Sequence, residues 1–353
     1  MKPRIHPRCP HRSFILCLIV ALCLGASGAC GPITLTLGAA PGDQDLAETR
    51  VEPAEQRTRD KVAIIDVSGL LLNAAPRGLL YRGEHPAAAL HERLERARTD
   101  RRVRAVVLRI NSPGGTVTAS DVMYREVERF RERSDKPVIV LMKDVAASGA
   151  YYVACAADHI VAHPTSVTGS IGVIVQTVSL KPALDRIGIQ ATTFRSGEGK
   201  DAGSPLSDMT EQHRRIIQSM VDDFHGRFVD RVRAARPGIA AEHFDEVTDG
   251  RVMTGRRALE LGVVDEVGDL ETAWQRAKKL AGIDHAHLVL YHRAGQRIAA
   301  PYMTAGAPVP ASPTTGGTGD GAGTIQVNLA QINLSADLPH GGVTFYYLWQ
   351  PPD

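Results

Sequence analysis

Ser148 and Lys200 are the two residues of this sequence whose types and surroundings could together perform covalent chemistry. Ser148 stands in the segment Ala-Ala-Ser-Gly-Ala-Tyr-Tyr, and Lys200 stands in Ser-Gly-Glu-Gly-Lys-Asp. A serine hydroxyl is a weak nucleophile near neutral pH and needs a neighbouring general base. A lysine amine serves as that base only when burial favours its neutral form by about 4 kcal/mol. The pair therefore indicates a nucleophilic serine activated by a desolvated lysine.

A glycine-rich segment upstream could supply the backbone hydrogen-bond donors that such a reaction needs. Asn111-Ser-Pro-Gly-Gly115 directly follows an apolar run, and adjacent glycines permit positive φ and close backbone approach. Their N–H groups could converge on a developing oxyanion. The segment alone is equally typical of a tight turn. The motifs GxGxxG and GxxxxGK[ST] do not occur, which disfavours nucleotide binding.

Each of the two candidate residues also has an ordinary structural explanation. The small residues around Ser148 allow close helix packing, and Lys200 beside Glu198 and Asp201 is typical of a solvated loop lysine. Taken one at a time, these explanations are favoured. The catalytic interpretation depends on the segments occurring together.

Alternating strands and helices must position these segments. Strands are predicted over residues 62–67, 103–110, 138–142 and 171–180, with a last aromatic piece over 343–349. Helices are predicted over residues 87–97, 118–131, 148–157, 209–233, 254–261 and 270–280. Repeated strand–helix units indicate a mainly parallel sheet packed by helices. Ser148 then falls where a strand gives way to a helix N-terminus, which offers free backbone donors.

Composition argues against several other classes of protein. The chain has 353 residues and is 43% hydrophobic, enough for one large or two ordinary domains. Its 41 Lys and Arg against 39 Asp and Glu give a net charge of +2, too near neutral to favour nucleic-acid binding. His159 and His163 have metal-like spacing, but Pro164 and the β-type residues 160–162 argue against a shared helix face. We predict no metal and no cofactor.

The N-terminus is typical of an export signal. Residues 1–29 contain a basic start and an apolar run over 14–24, which is shorter than the roughly 20 residues that span a bilayer. Small residues precede Cys30, so acylation of Cys30 as a lipoprotein is one alternative. Because Ser27 occupies the position where a lipobox usually carries Leu, ordinary cleavage and an uncleaved anchor are the others. We expect an exported, membrane-anchored protein that faces the periplasm or the cell exterior.

The remaining chain divides by composition. Residues 30–60 are polar and are predicted to be a tether, and the folded body is predicted over 61–281. Residues 282–353 form a C-terminal extension whose segment 301–323 is rich in Pro, Gly, Thr and Ser. Cys155 lies in a small apolar segment of the body, where a packed thiol is expected.

The order of the motifs resembles the signal peptide peptidase A family, the protease IV type of S49 serine peptidases. The resemblance covers roughly residues 61–281, and the motifs that carry it are Asn-Ser-Pro-Gly-Gly, Ala-Ala-Ser-Gly-Ala-Tyr-Tyr, Thr-Gly-Ser-Ile-Gly-Val and Ser-Gly-Glu-Gly-Lys. Their joint occurrence at matching separations is more specific than any one motif. The resemblance implies an α/β fold of the ClpP/crotonase-like class, a spiral of ββα units.

The resemblance also implies a role for each candidate residue. Ser148 matches the nucleophile, Lys200 the general base, and Ser170 the serine that holds the lysine amine. Gly114 matches the oxyanion donor, with the Gly149 N–H as an assisting donor. The sequence departs from the family at Ala150, where the family commonly has a second glycine after the nucleophile. The resemblance therefore does not fix the backbone conformation around this residue.

The implied activity is hydrolysis of peptide bonds through an acyl-enzyme, without metal or cofactor. Implied substrates are signal-peptide remnants and other membrane-proximal peptides. They would bind extended along the backbone, and the expected contacts are Gly115, Thr116, Val117, Gly149, Ile171, Gly172 and Val173. Single-unit members assemble into rings in which serine and lysine come from neighbouring subunits, so a monomerised protein should lose activity. Two alternatives stay open: a crotonase-fold acyl-CoA enzyme and a non-catalytic scaffold.

Overall fold

A computed structural model of the chain describes residues 45–54, 56–75, 83–294, 296, 298, 300–303 and 344–349. The strands are β1 Leu46–Glu52, β2 Lys61–Ser68, β3 Val103–Ser112, β4 Gly114–Thr116, β5 Val138–Ala147, β6 His159–Ala162, β7 Val167–Gly169, β8 Val252–Thr254, β9 Glu266–Val267, β10 His287–Arg293 and β11 Tyr346–Leu348. The helices are α1 Pro86–Thr99, α2 Val117–Ser134, α3 Gly149–Ala154, α4 Lys181–Arg186, α5 Glu211–Ala235, α6 Ala241–Thr248, α7 Gly255–Glu260 and α8 Leu270–Leu280.

The main sheet has the strand order β1-β10-β2-β3-β5-β6-β9. The strands from β10 to β9 pair in parallel, whereas β1 is an antiparallel edge strand. One large apolar cluster lies against α1, α2 and α3, and a second, around Trp274, lies against α8. Burial on both faces explains why the central strands are nearly continuous apolar runs. Units such as β3-β4-α2 confirm the predicted ClpP/crotonase-like α/β class.

A short strand extends the sheet beside the end of β5. β7 pairs in parallel with β5 in the register Ala147↔Gly169, and β8 pairs antiparallel with β7. Two neighbouring strands therefore end side by side, immediately before Ser148 and Ser170. A separate two-stranded sheet joins β4 to β11.

The structure corrects two boundaries of the predicted organisation. β1 lies within residues 30–60, predicted as a tether, and β10 lies beyond residue 281, yet both belong to the main sheet. β1 is an edge strand with only partly buried side chains, so its polar composition resembles that of a tether. The signal segment 1–29, Cys30 and residues 304–323 lie outside the described residues.

The strand predicted over residues 171–180 is wrong. Only an isolated bridge forms there, at Ile174, and Val178 and Leu180 are exposed. The body covers only the start of this run, where Ile171 is fully buried. An apolar run forms a strand only where neighbouring segments cover it and pair with it. Helix α8 lies where it was predicted, because its apolar face is pronounced and Asp269 caps it. In the described part of the chain, no helix is both long and apolar enough to cross a membrane.

Candidate active site

Ser148 occupies the junction between β5 and α3. Its backbone has φ 54° and ψ −119°, a conformation that non-glycine residues rarely adopt. The Ser148 N–H donates to the Gly169 carbonyl at 2.8 Å, and its carbonyl accepts from the Tyr152 N–H at 2.9 Å. The side chain is fully buried, and Oγ has no hydrogen-bond partner among the described residues. A buried, unpaired hydroxyl on a strained backbone is a candidate reactive group.

Ser170 also has a positive φ. Its φ is 51°, and its N–H donates to the Arg251 carbonyl at 2.7 Å. Among the described non-glycine residues, positive φ occurs at Asp135, Ser148 and Ser170. Asp135 ends helix α2 in the left-handed conformation that is common at helix C-termini. The other two are predicted site residues, and they follow neighbouring parallel strands at the same edge of the sheet.

The glycines of the Asn-Ser-Pro-Gly-Gly segment leave no room for a side chain. Gly114 has φ 102°, and a Cβ there would lie 2.1 Å from the Tyr347 carbonyl oxygen and 2.7 Å from the Gly149 nitrogen. A Cβ on Gly115 would lie 2.0 Å from the Leu71 carbonyl oxygen. Close backbone approach therefore requires glycine at both positions.

The predicted oxyanion donor needs a correction. The Gly114 N–H already donates to the buried Ser112 Oγ at 3.1 Å. In the antiparallel pairing of β4 and β11, Gly115 is the partner of Tyr347. The bond from Val117 N–H to the Phe345 carbonyl, two positions away, fixes the alternation of the ladder. It follows that the Gly115 N–H faces the Tyr347 carbonyl.

Gly149 lies close to the same carbonyl oxygen. A Cβ built on Gly149 would lie 3.0 Å from the Tyr347 oxygen and 3.2 Å from the Gly115 nitrogen. Gly149 directly follows Ser148 and is the first residue of α3, where backbone N–H groups lack helical partners. Gly115 and Gly149 are therefore better placed than Gly114 to hold an oxyanion beside Ser148.

Lys200 is not brought to this cluster. It is exposed, in a turn in which its N–H donates to the Gly197 carbonyl at 3.1 Å. Since Ser148 Oγ has no hydrogen-bond partner among the described residues, the Lys200 amine does not reach it within one chain. The structure thus assembles Ser148, Ser170 and the glycines, but leaves the predicted base outside.

The predicted substrate contacts lie on the two sides of an extended strand. Gly115, Thr116 and Val117 line one side of β11. On the other side, Ile174 and Tyr346 exchange two backbone hydrogen bonds, of 3.0 and 3.1 Å. The neighbouring predicted contacts are less accessible: Ile171 is fully buried, whereas Gly172 and Val173 are half-buried.

An aromatic cluster beside the nucleophile was not predicted from the sequence. The Tyr152 ring stacks on the Tyr347 ring with a centroid distance of 5.3 Å, and its hydroxyl donates to Asp121 at 2.9 Å. Burial raises the pKa of Tyr152 to about 12, so the hydroxyl stays protonated near neutral pH. Its position four residues after Ser148, one turn along the predicted helix, was the available signal.

The environments of the other candidate reactive side chains, Cys155, His159 and His163, favour structural roles. Burial raises the pKa of the Cys155 thiol to about 12, which disfavours the nucleophilic thiolate. His159 contacts Glu266 at 3.1 Å, and His163 contacts Thr165 at 2.8 Å. The described ranges contain no group of three His, Cys, Asp or Glu residues that could hold a metal ion.

The sequence profile of Peptidase family S49 matches residues 131–284. Among curated proteins, "Putative protease slr0021" of Synechocystis is 34% identical over 66% of this chain and 78% of its own length. "Putative signal peptide peptidase SppA" of Enterococcus faecium is 30% identical over 71% and 72%. "Protease 4" of Salmonella typhi is 32% identical over 66% of this chain but only 37% of its own length.

Two solved structures are similar at 15% identity. The 1510-N membrane-bound stomatin-specific protease matches with a TM-score of 0.41 over 62% of this chain and 86% of that one. ClpP1 from Listeria monocytogenes matches with a TM-score of 0.39 over 60% and 93%. The sequence relatives carry the assignment, because two of them are at least 30% identical and are matched over more than two thirds of their length. The chain belongs to peptidase family S49 and is a serine-type endopeptidase.

Proposed function

We propose that Ser148 and Lys200 form a catalytic dyad that hydrolyses membrane-proximal peptides through an acyl-enzyme. Ser148 Oγ attacks the peptide carbonyl while its proton passes to the Lys200 amine. The Gly115 and Gly149 N–H groups hold the oxyanion, and the lysine returns the proton to the departing amine. A water molecule then attacks the ester carbonyl and gives its proton to the Lys200 amine. The bond between the acyl carbon and Ser148 Oγ breaks, Oγ takes the proton back from the lysine, and the carboxylic acid leaves.

One observation carries this proposal: the strained Ser148, whose Oγ has no partner among the described residues, lies next to Gly149 and near Gly115, whose N–H already faces a peptide carbonyl. A carbonyl at that position has the hydrogen-bond donors that acyl transfer requires. Because extended backbone occupies the groove between Gly115 and Ile174, a peptide substrate fits the same ladder.

Lys200 would reach Ser148 from a neighbouring subunit. The segment that carries it exposes several large apolar side chains, namely Val178, Leu180, Ile187, Ile189, Phe194 and Leu206. Phe194 is 93% exposed. An apolar surface of this kind marks a protein interaction site, and a second copy of the chain would cover it while delivering the amine. Burial at that interface would also favour the neutral amine that the reaction needs.

Ser170 would orient the incoming amine. It is 8% exposed and follows β7 at the sheet edge where Ser148 follows β5. A hydroxyl there can accept from the amine and leave its lone pair directed at Ser148. Ser170 is a positioning residue in this scheme, since it touches the base and not the substrate.

Two further observations support the substrate class and the membrane location. The basic, apolar N-terminal segment is typical of an export signal or lipoprotein anchor. A relative from Enterococcus faecium carries the name "Putative signal peptide peptidase SppA". Both observations favour signal-peptide remnants and membrane-proximal peptides as substrates.

Co-assembly of two inactive variants tests the dyad and its location together. Ser148→Ala and Lys200→Ala should each abolish peptide cleavage. Co-expressed in equal amounts, they should recover about a quarter of the wild-type activity, because random assembly pairs an intact serine with an intact neighbouring lysine at that frequency. Lys181→Ala, a lysine on the same exposed segment, should stay active. Full activity of either single variant would exclude the dyad, and no recovery would exclude the intersubunit site.

A further inference from the structure

The peptide groove beside Ser148 is occupied by the chain's own C-terminal strand. Strand β11 pairs antiparallel with β4 on one side, and Tyr346 pairs with Ile174 on the other. A further bond runs from the Trp349 N–H to the Pro113 carbonyl at 2.9 Å. Both backbone edges that a substrate would use are therefore already paired.

Tyr347 anchors this strand through its side chain. The residue is 1% exposed, and its ring packs against Tyr152 and Phe228 with centroid distances of 5.3 and 4.7 Å. Its hydroxyl donates to the Phe224 carbonyl at 2.7 Å. Aromatic packing and a satisfied hydroxyl together make this a specific contact.

The strand also lies next to the nucleophile. Ser148 is fully buried, and the Tyr347 carbonyl faces the Gly115 N–H and lies close to Gly149, the residue after Ser148. This is the position that a reacting carbonyl would need. A second extended peptide has no unpaired backbone edge in the groove while β11 remains there.

We propose that β11 is a tethered competitor that must leave the groove before a peptide substrate binds. The inference rests on the proposed function, because it takes this groove to be the substrate site. An occupied groove lowers the binding-competent fraction of the enzyme and raises the apparent KM by the same factor. It leaves kcat unchanged, since saturating substrate displaces the strand.

Tyr347→Ala in the full chain tests the competition. If β11 fills the groove in about nine molecules of ten, losing its anchor should lower KM about tenfold with kcat unchanged. Tyr302→Ala is the matched control, because Tyr302 is 72% exposed and lies outside the groove. An unaltered KM in a folded Tyr347→Ala protein would overturn the proposal.

A second variant guards against a folding defect. Tyr346→Pro removes the N–H that bonds to the Ile174 carbonyl and leaves the Tyr347 ring in place. It should lower KM in the same direction, with a thermal melt that matches wild type. If a well-folded Tyr346→Pro protein keeps the wild-type KM, the ladder does not compete with substrate.

A binding measurement separates this inference from the proposed chemistry. A dye-labelled peptide Thr-Phe-Tyr-Tyr-Leu-Trp, the sequence of residues 344–349, is titrated into Ser148→Ala and into Ser148→Ala/Tyr347→Ala, neither of which needs to cleave it. About tenfold tighter binding to the double variant supports the tethered competitor even if no form of the enzyme cleaves peptides. Equal binding to the two variants refutes it even if the wild type is an active peptidase.

Discussion

Gly114→Ala should abolish activity while leaving a folded protein. The new Cβ would lie 2.1 Å from the position of the Tyr347 carbonyl oxygen and 2.7 Å from the Gly149 nitrogen, whereas carbon contacts are optimal near about 3.5 Å. The methyl group therefore fills the space that a reacting carbonyl occupies. A methyl group there would keep the carbonyl away from the donors at Gly115 and Gly149. Since losing even one oxyanion donor costs about 10²–10³ in kcat, we expect kcat/KM to fall at least about a hundredfold, or about 2.7 kcal/mol.

The same substitution strains the backbone. Gly114 has φ 102°, and such a conformation costs about 1–3 kcal/mol in a residue with a side chain. Gly282→Ala isolates this cost, because Gly282 has φ 66° and a Cβ there would meet no atom within 4 Å. Urea unfolding should show both variants destabilised, Gly114→Ala the more so, and peptide cleavage should be normal in Gly282→Ala alone. Wild-type kcat/KM in Gly114→Ala would refute the assignment of this space to the carbonyl.

Two further predictions concern stability. Asp66→Asn removes the charged partner of the buried Arg109 guanidinium. It should lower the free energy of unfolding, measured in urea, by about 3–5 kcal/mol. Asp230→Asn, which breaks an exposed ion pair, should lower it by at most about 1 kcal/mol. Burial raises the pKa values of Cys155 and Tyr152 to about 12, above those of the unfolded chain, so the free energy of unfolding should fall as pH rises from about 9 towards 12. Cys155→Ala should flatten that dependence; parallel curves would contradict it.

The central sheet could be predicted because the residues within each strand and helix are enough to identify that element. Strands such as β3 are buried on both faces and appear in the sequence as apolar runs. Helix α8 combines a pronounced apolar face with a capping box at Asp269. Ser148 could be placed at a strand–helix junction for the same reason. The family resemblance that these motifs suggested is confirmed, and it displaces the acyl-CoA enzyme and scaffold alternatives.

The groove could not be predicted because it depends on pairing between segments that lie far apart in the sequence. Gly115 pairs with Tyr347 across most of the chain length, and no local pattern encodes that register. The aromatic residues 343–349 predict a strand but not the segment with which it pairs. The choice between Gly114 and Gly115 as donor depends on the direction of one N–H group, which the Ser112 hydroxyl fixes in the fold. Lys200 is a different case, because the proposed site would take its lysine from a second subunit, which the fold of one chain does not contain.

The backbone at the two serines argues for function independently of the relatives. Glycine would adopt φ 54° or 51° without strain, yet serine stands at both positions at a cost of about 1–3 kcal/mol each. The pairing of β7 with β5 stabilises this strained backbone. Thr168 Oγ1 donates to the Ala146 carbonyl at 2.7 Å, and the Ser148 N–H donates to the Gly169 carbonyl. Two adjacent departures from local preference, each keeping a hydroxyl, are expected where hydroxyls perform chemistry.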